Sequence, residues 1–280
     1  MTKQLPPSDL TAHLQWKGKP IVERKYVRPL MCIDDIFRKG GILQANSLLE
    51  LYHAADGLVY AENGLVASLP EFVEMQTTVG KDDTKLLGPF ITSSEEIMGR
   101  DTLGVYTNNG GPIVLVFHGA GLIKPKRVNL NVSNRARFTQ EEFDQLIKEG
   151  DEKTEGKIPI FGIDSLIQAG QAILPRYGVA VPYDLDKIKH SGQNVLSVFK
   201  DNPLVIARAG GREFLEKYYE KNRNPITNHV VNDHHLEDQN FDTPEGVILE
   251  SAEGFTVTNL IERPDLGFPR YWIVRGQQNG

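Results

Sequence analysis

Apolar positions in this 280-residue chain come in short blocks, which predict many short elements rather than a few long ones. The first 30 residues hold Pro6, Pro7, Pro20 and Pro29 with no sustained period, so they read as an extended arm with a short strand at 21–27. Two short helices follow. One covers 33–38 ahead of Gly40-Gly41; the other is capped by Asn46 or Ser47, shows a stripe of Leu48, Leu49, Leu51 and Tyr52, and stops at Gly57. Asn63-Gly64 suits a tight turn, which makes 58–60 and 65–69 a hairpin. Residues 76–101 are weakly patterned, with Thr92-Ser93-Ser94-Glu95-Glu96 read as the cap of a one-turn helix.

The middle of the chain is clearer. A strand at 103–107, a turn at Asn108-Asn109-Gly110-Gly111 and a strand at 112–118 are expected, and the unbroken apolar run from Ile113 to Phe117 implies burial on both faces. Residues 139–150 predict the best helix: Thr139 and Glu142 form a capping box, Phe138 and Phe143 occupy the staple positions, and Phe143, Leu146 and Ile147 make the inner face. A polar loop at 151–157 is the best internal boundary. After it the pattern predicts strand 158–161, helix 164–172, strand 179–182, helices 184–189 and 195–199, strand 204–207 and helix 212–221. Strands at 247–249, 255–258 and 271–274 close the chain. The fold class this implies is α+β, a mixed β-sheet with short helices. It comprises an extended basic arm at 1–30 and a single domain over 31–280, the alternative being two lobes that meet near 150–157.

Composition narrows the class. A chain that is 40% hydrophobic and 24% charged is neither disordered nor a rod. No apolar run approaches the roughly 20 residues of a membrane span, and the opening MTKQLPPSDL has no apolar stretch after Lys3 and reads as no signal peptide. The lone Cys32 makes no intrachain disulfide and there is no Cys-x-x-Cys pair. The expectation is a soluble, cytoplasmic protein without a membrane role.

Charge is uneven beneath the net −6. Residues 1–30 carry six cations against two acids, a net of +4, whereas 229–265 carry nine acids against Arg263 alone, a net of −8. Such complementarity suits self-association between copies of the chain, a non-catalytic homo-oligomeric assembly. Overall acidity argues against nucleic acid as a partner.

Three constellations are candidates for chemistry. In the first, His118-Gly119-Ala120-Gly121 follows the most apolar strand and leads into Lys124, Lys126 and Arg127, with Arg135 and Arg137 further on and no acid between 120 and 138. Glycines let backbone N–H groups approach an anion, and neighbouring cations add charge. Gly119, Gly121, Lys124 and Arg127 therefore form a candidate site for a phosphorylated or carboxylated small molecule, with His118 as the acid/base if the chain is an enzyme. A dinucleotide fingerprint is rejected because Lys124 stands where a third glycine belongs. A serine-hydrolase elbow is rejected because the nearest match, Gly162-Ile163-Asp164-Ser165-Leu166, lacks its nucleophile and second glycine in place. The second constellation is Arg208 and Arg212 around Gly210-Gly211, expected at a strand-to-helix turn, where a helix N-terminus favours anions. The third is His229, Asp233 and His234, residue types that suit zinc, iron or manganese, though their spacing is off the helical register for metal pairs. The sequence identifies no cofactor.

Overall fold

A computed structural model describes residues 30–31, 42–45, 64–71, 90–123, 135–170, 172, 174, 176–188, 200–221, 241–251, 255–257 and 270–275. The expected arm at 1–30, apart from Leu30, the helices near 33–38, 47–57 and 195–199, and the strand at 58–60 lie outside these residues. The described strands are β1 (Leu30–Met31), β2 (Ile42–Ala45), β3 (Gly64–Val66), β4 (Phe90–Arg100), β5 (Pro112–His118), β6 (Ala136–Arg137), β7 (Ile160–Gly162), β8 (Tyr177–Pro182), β9 (Glu245–Ser251), β10 (Phe255–Val257) and β11 (Arg270–Arg275). The helices are α1 (Gln140–Asp151), α2 (Ile163–Ala169), α3 (Leu185–Ile188), α4 (Pro203–Ala209) and α5 (Arg212–Lys221).

The sheet runs β1-β2-β11-β4-β5-β8-β7, with β9 pairing β4, β6 and β10. It is mixed: β7 runs parallel to β8 and β11 parallel to β4, while the other ladders are antiparallel. The fold class is α+β, and strands from both sides of the 152–159 loop share this one sheet. No described helix is long and apolar enough to cross a membrane.

The centre is β4, which pairs β5 on one side and β9 on the other. The sequence pattern predicts a one-turn helix here. Thr92, Ser94, Glu95 and Glu96 are instead strand residues buried to 4% exposure or less, so the middle of the strand carries no hydrophobic signature. Its buried polar groups are held by partners. The ladder with β9 shifts register between Ile91 and Glu95, and at that irregularity Thr92 Oγ1 donates to the Leu249 carbonyl at 2.8 Å. Residues 103–107, expected as a strand, form a loop organised by Asp101, whose buried carboxylate accepts the amides of Val105, Tyr106 and Thr107 at 3.2, 2.7 and 2.8 Å.

Cross-strand register sets up rows. Ser94, His118 and Tyr177 stand in line, as do Glu96, Val116 and Val179, and then Met98, Val114 and Val181. These rows face α4, whose Leu204 to Ala209 are all buried, the apolar ones in the same cluster. The sequence pattern reads 204–207 as a strand. A helix buried on every side shows the same unbroken apolar run as a buried strand. The local signals favour the helix: Asn202 Oδ1 accepts the amides of Leu204 and Val205, Pro203 occupies the first turn, and Gly210 ends it at φ 80°.

The opposite face is covered by α1, which keeps its expected capping box between Thr139 and Glu142 and buries Phe143 and Ile147. Its last turn touches β7 so closely that a Cβ on Gly150 would fall against Ile160 Cγ1 and 2.6 Å from Cδ1. Alanine gains about 1 kcal/mol of helix propensity over glycine, but overpacking costs about 1–3 kcal/mol. Gly150→Ala is therefore expected to lower stability in urea unfolding, and to cost less in an Ile160→Ala background. Equal costs in both backgrounds would show that the two positions do not touch.

Candidate functional site

The glycine turn begins where β5 ends. His118 is completely buried, with Nδ1 2.7 Å from Ser94 Oγ and Nε2 2.9 Å from the Ala207 carbonyl of α4. A carbonyl only accepts, so Nε2 carries the proton and Nδ1 accepts from the Ser94 hydroxyl, whose oxygen takes the Leu69 amide at 2.8 Å. The Tyr177 ring packs alongside, with centroids 4.9 Å apart. Burial pulls the imidazole down to about 4, against the smaller opposing pull of the Ala207 hydrogen bond and the Glu96 charge. The ring is neutral near pH 7 and meets no solvent. A general acid or base must reach a substrate proton, so in this arrangement His118 links β5 to α4 rather than facing a ligand.

Beside it lies an ion pair. Arg208 grips Glu96 bidentately, Nε to Oε1 and Nη2 to Oε2 at 3.0 Å, with both side chains at 0% exposure. Sequence reasoning places Arg208 with Arg212 at a strand-to-helix turn. The turn joins two helices instead, and it separates the two arginines. Arg208 enters the core, whereas Arg212 stays on the surface and donates to Asp201 Oδ1 at 2.9 Å and to the Lys200 carbonyl at 3.2 Å. The Tyr177 hydroxyl, held well above its ordinary pKa by burial, finds no hydrogen-bond partner among the described residues.

The turn itself has Gly119 at φ 66° and Gly121 at φ 64°, left-handed backbone that favours glycine. Its carbonyls at Gly119 and Ala120 accept from Arg176 Nε and Nη2 at 3.1 and 3.2 Å. Immediately beyond, the amides of Leu122 and Ile123 donate to the two oxygens of Glu95 at 2.9 and 2.8 Å. Successive backbone donors there hold a carboxylate, one supplied by the chain itself. Further along, Arg135 and Arg137 approach Glu245 at 2.9 and 3.6 Å.

The structure thus brings His118, Gly119, Gly121 and Arg208 to one end of β5, and leaves Arg212 elsewhere. Lys124 and Arg127 lie outside the described residues, as do His229, Asp233 and His234. Among the described residues no group of three or more His, Cys, Asp or Glu could hold a metal ion. The arm and most of the acidic stretch expected to meet between copies also lie outside them. Sequence reasoning reads Ser94, Glu95 and Glu96 as a helix cap, takes Glu95-Glu96 as a weak acid/base candidate, and does not single out Arg176. Adjacent acids are weak acid/base candidates because neighbours on a strand point to opposite faces, and here that divergence gives each its own partner: Glu95 takes the turn and Glu96 takes Arg208.

No family model matches the chain, and no curated protein matches it. A solved structure described as "Accommodation of massive sequence variation in Nanoarchaeota by the C-type lectin fold" is similar, with a TM-score of 0.54 and 18% identity over 84% of this chain and 95% of that one. At that identity the likeness is one of fold: the similar structure has a C-type lectin fold, which is α+β like the sheet described above.

Proposed function

We propose that this chain is a non-catalytic binding protein for a phosphorylated or carboxylated small molecule, met by Lys124 and Arg127 directly after the glycine turn. The observation that carries this reading is the carboxylate of Glu95 on the Leu122 and Ile123 amides: backbone that reads one carboxylate leads straight into an acid-free run of cations. His118 and Arg208 support the scaffold instead of reacting, because both are engaged by internal partners. The similar solved structure is described as a fold that accommodates massive sequence variation, and a core closed on its own polar groups suits surface segments chosen for recognition. The single Cys32 fits a reducing compartment, the cytoplasm.

Isothermal titration with inorganic phosphate and with citrate tests this, comparing wild type with Lys124→Ala/Arg127→Ala. Each charge-assisted bond is worth about 1.5–3 kcal/mol, so the double variant should bind at least about tenfold more weakly. Equal binding by both proteins, or none by wild type, would remove the reading.

A further inference from the structure

The buried polar row on the sheet face opposite α1 belongs to no ligand site, yet it carries a titratable ring at an element boundary. We infer that His118 makes α4 an acid-sensitive lid: a proton can be added to the imidazole only when α4 lifts from the sheet. This inference is independent of the ligand proposed above.

Among the described residues the geometry leaves one way out for the ring. Along the sheet His118 is flanked by Ser94 of β4 and Tyr177 of β8, both held by continuous ladders. Over the sheet it is covered by α4, through the Ala207 carbonyl. In the closed state Nδ1 is an acceptor for Ser94, and Ser94 Oγ already receives the Leu69 amide. Protonating Nδ1 turns it into a donor to that same oxygen, and the Ser94 hydroxyl proton then loses its acceptor. Among the described residues the charged and titratable groups around the ring are Glu96 on β4, Arg208 on α4 and Tyr177 on β8, with the charge of Glu71 acting on Tyr177. Glu96 favours a cationic ring, as does the Ala207 carbonyl near the C-terminal end of α4, but Glu96 is already matched to Arg208, and burial prevails. Separating the strands would break two ladders as well as the core, whereas lifting α4 breaks the Ala207 bond and the Arg208 pair, uncovers the apolar side chains of 204–209 and admits water to the ring.

Hydrogen exchange on the full chain, corrected for the intrinsic pH dependence of amide exchange, tests this between pH 6.5 and 4.5. Protection of amides 204–211 should fall by about tenfold for each pH unit below 6 and stay below that of α1 amides throughout, because one proton is taken up in an opening that leaves α1 in place. His118→Gln cannot titrate and should abolish the fall in 204–211. If that variant fails to fold, the imidazole nitrogen-15 resonances of wild type decide, since Nδ1 should gain its proton over the same pH range in which 204–211 open. Constant protection of 204–211, protection of 204–211 equal to that of α1 at every pH, a fall that survives in His118→Gln, or a ring that stays unprotonated while the helix opens would each overturn the inference.

Discussion

Arg208→Met should lower the free energy of unfolding by about 3–5 kcal/mol, enough to bring a domain of ordinary stability close to its midpoint in mild urea. Arg208 is among the largest fully buried side chains of the described residues, and methionine fills much of its volume, so the loss is chiefly electrostatic. Without its partner, Glu96 is left as a carboxylate at 0% exposure in the apolar cluster between the sheet and α4. It must either stay charged without the guanidinium opposite it or take up a proton. The paired change Glu96→Met/Arg208→Met removes both charges together, and should recover most of the loss, since apolar replacements of a buried pair are often neutral or better. Urea unfolding at an unchanged m-value is the measurement. A loss below about 1 kcal/mol in the single variant would mean that the pair is hydrated, and that α4 does not seal this part of the core.

Acid should weaken the fold through His118 by about 3 kcal/mol between pH 6.5 and 4. An imidazole in the unfolded chain takes its proton near 6.5, while the folded ring declines one until about 4. Across that interval the unfolded state holds more protons, so stability falls as the pH drops; above 6.5 the contribution is fully present. The slope approaches about 1.4 kcal/mol per pH unit in the middle of the window. Carboxylates titrate in part of the same range, so the quantity to measure is the difference between wild type and His118→Gln. Wild type should lose ground to the variant steadily from pH 6.5 to 4.5. Parallel curves would show that the ring is hydrated in the folded state, contrary to its 0% exposure.

The same two residues explain why parts of this protein are readable from its sequence and others are not. Helix α1 is legible because its stabilisers are local: Thr139, Glu142, Phe143 and Ile147 act within three turns of each other. Strand β5 is legible because five successive apolar residues have few alternatives to a buried strand. Strand β4, at the centre of the sheet, is not. Its polar residues look like a cap or loop until Leu249, Leu69, His118, Arg208 and the 122–123 amides arrive from distant parts of the chain to satisfy them. Helix α4 misleads differently. Its capping residues are present, but a run apolar on every side carries no period to separate 3.6 from 2.

The site divides along the same line. The glycine turn is visible as Gly119 and Gly121, since only local backbone freedom is needed to recognise it. Which anion occupies the amides just beyond it, and that His118 points inward to α4, depend on contacts 28 and 89 residues apart in the chain. By itself the sequence determined the α+β class, the α1 helix, the buried β5 ribbon and the place of the turn, because short-range propensity and burial period suffice for each. The tertiary structure alone decided the strand identity of β4, the helical identity of α4, and the inward, mutually satisfied state of Glu95, Glu96, His118 and Arg208. A buried polar side chain is stable only with a partner, and the partner is supplied by the fold.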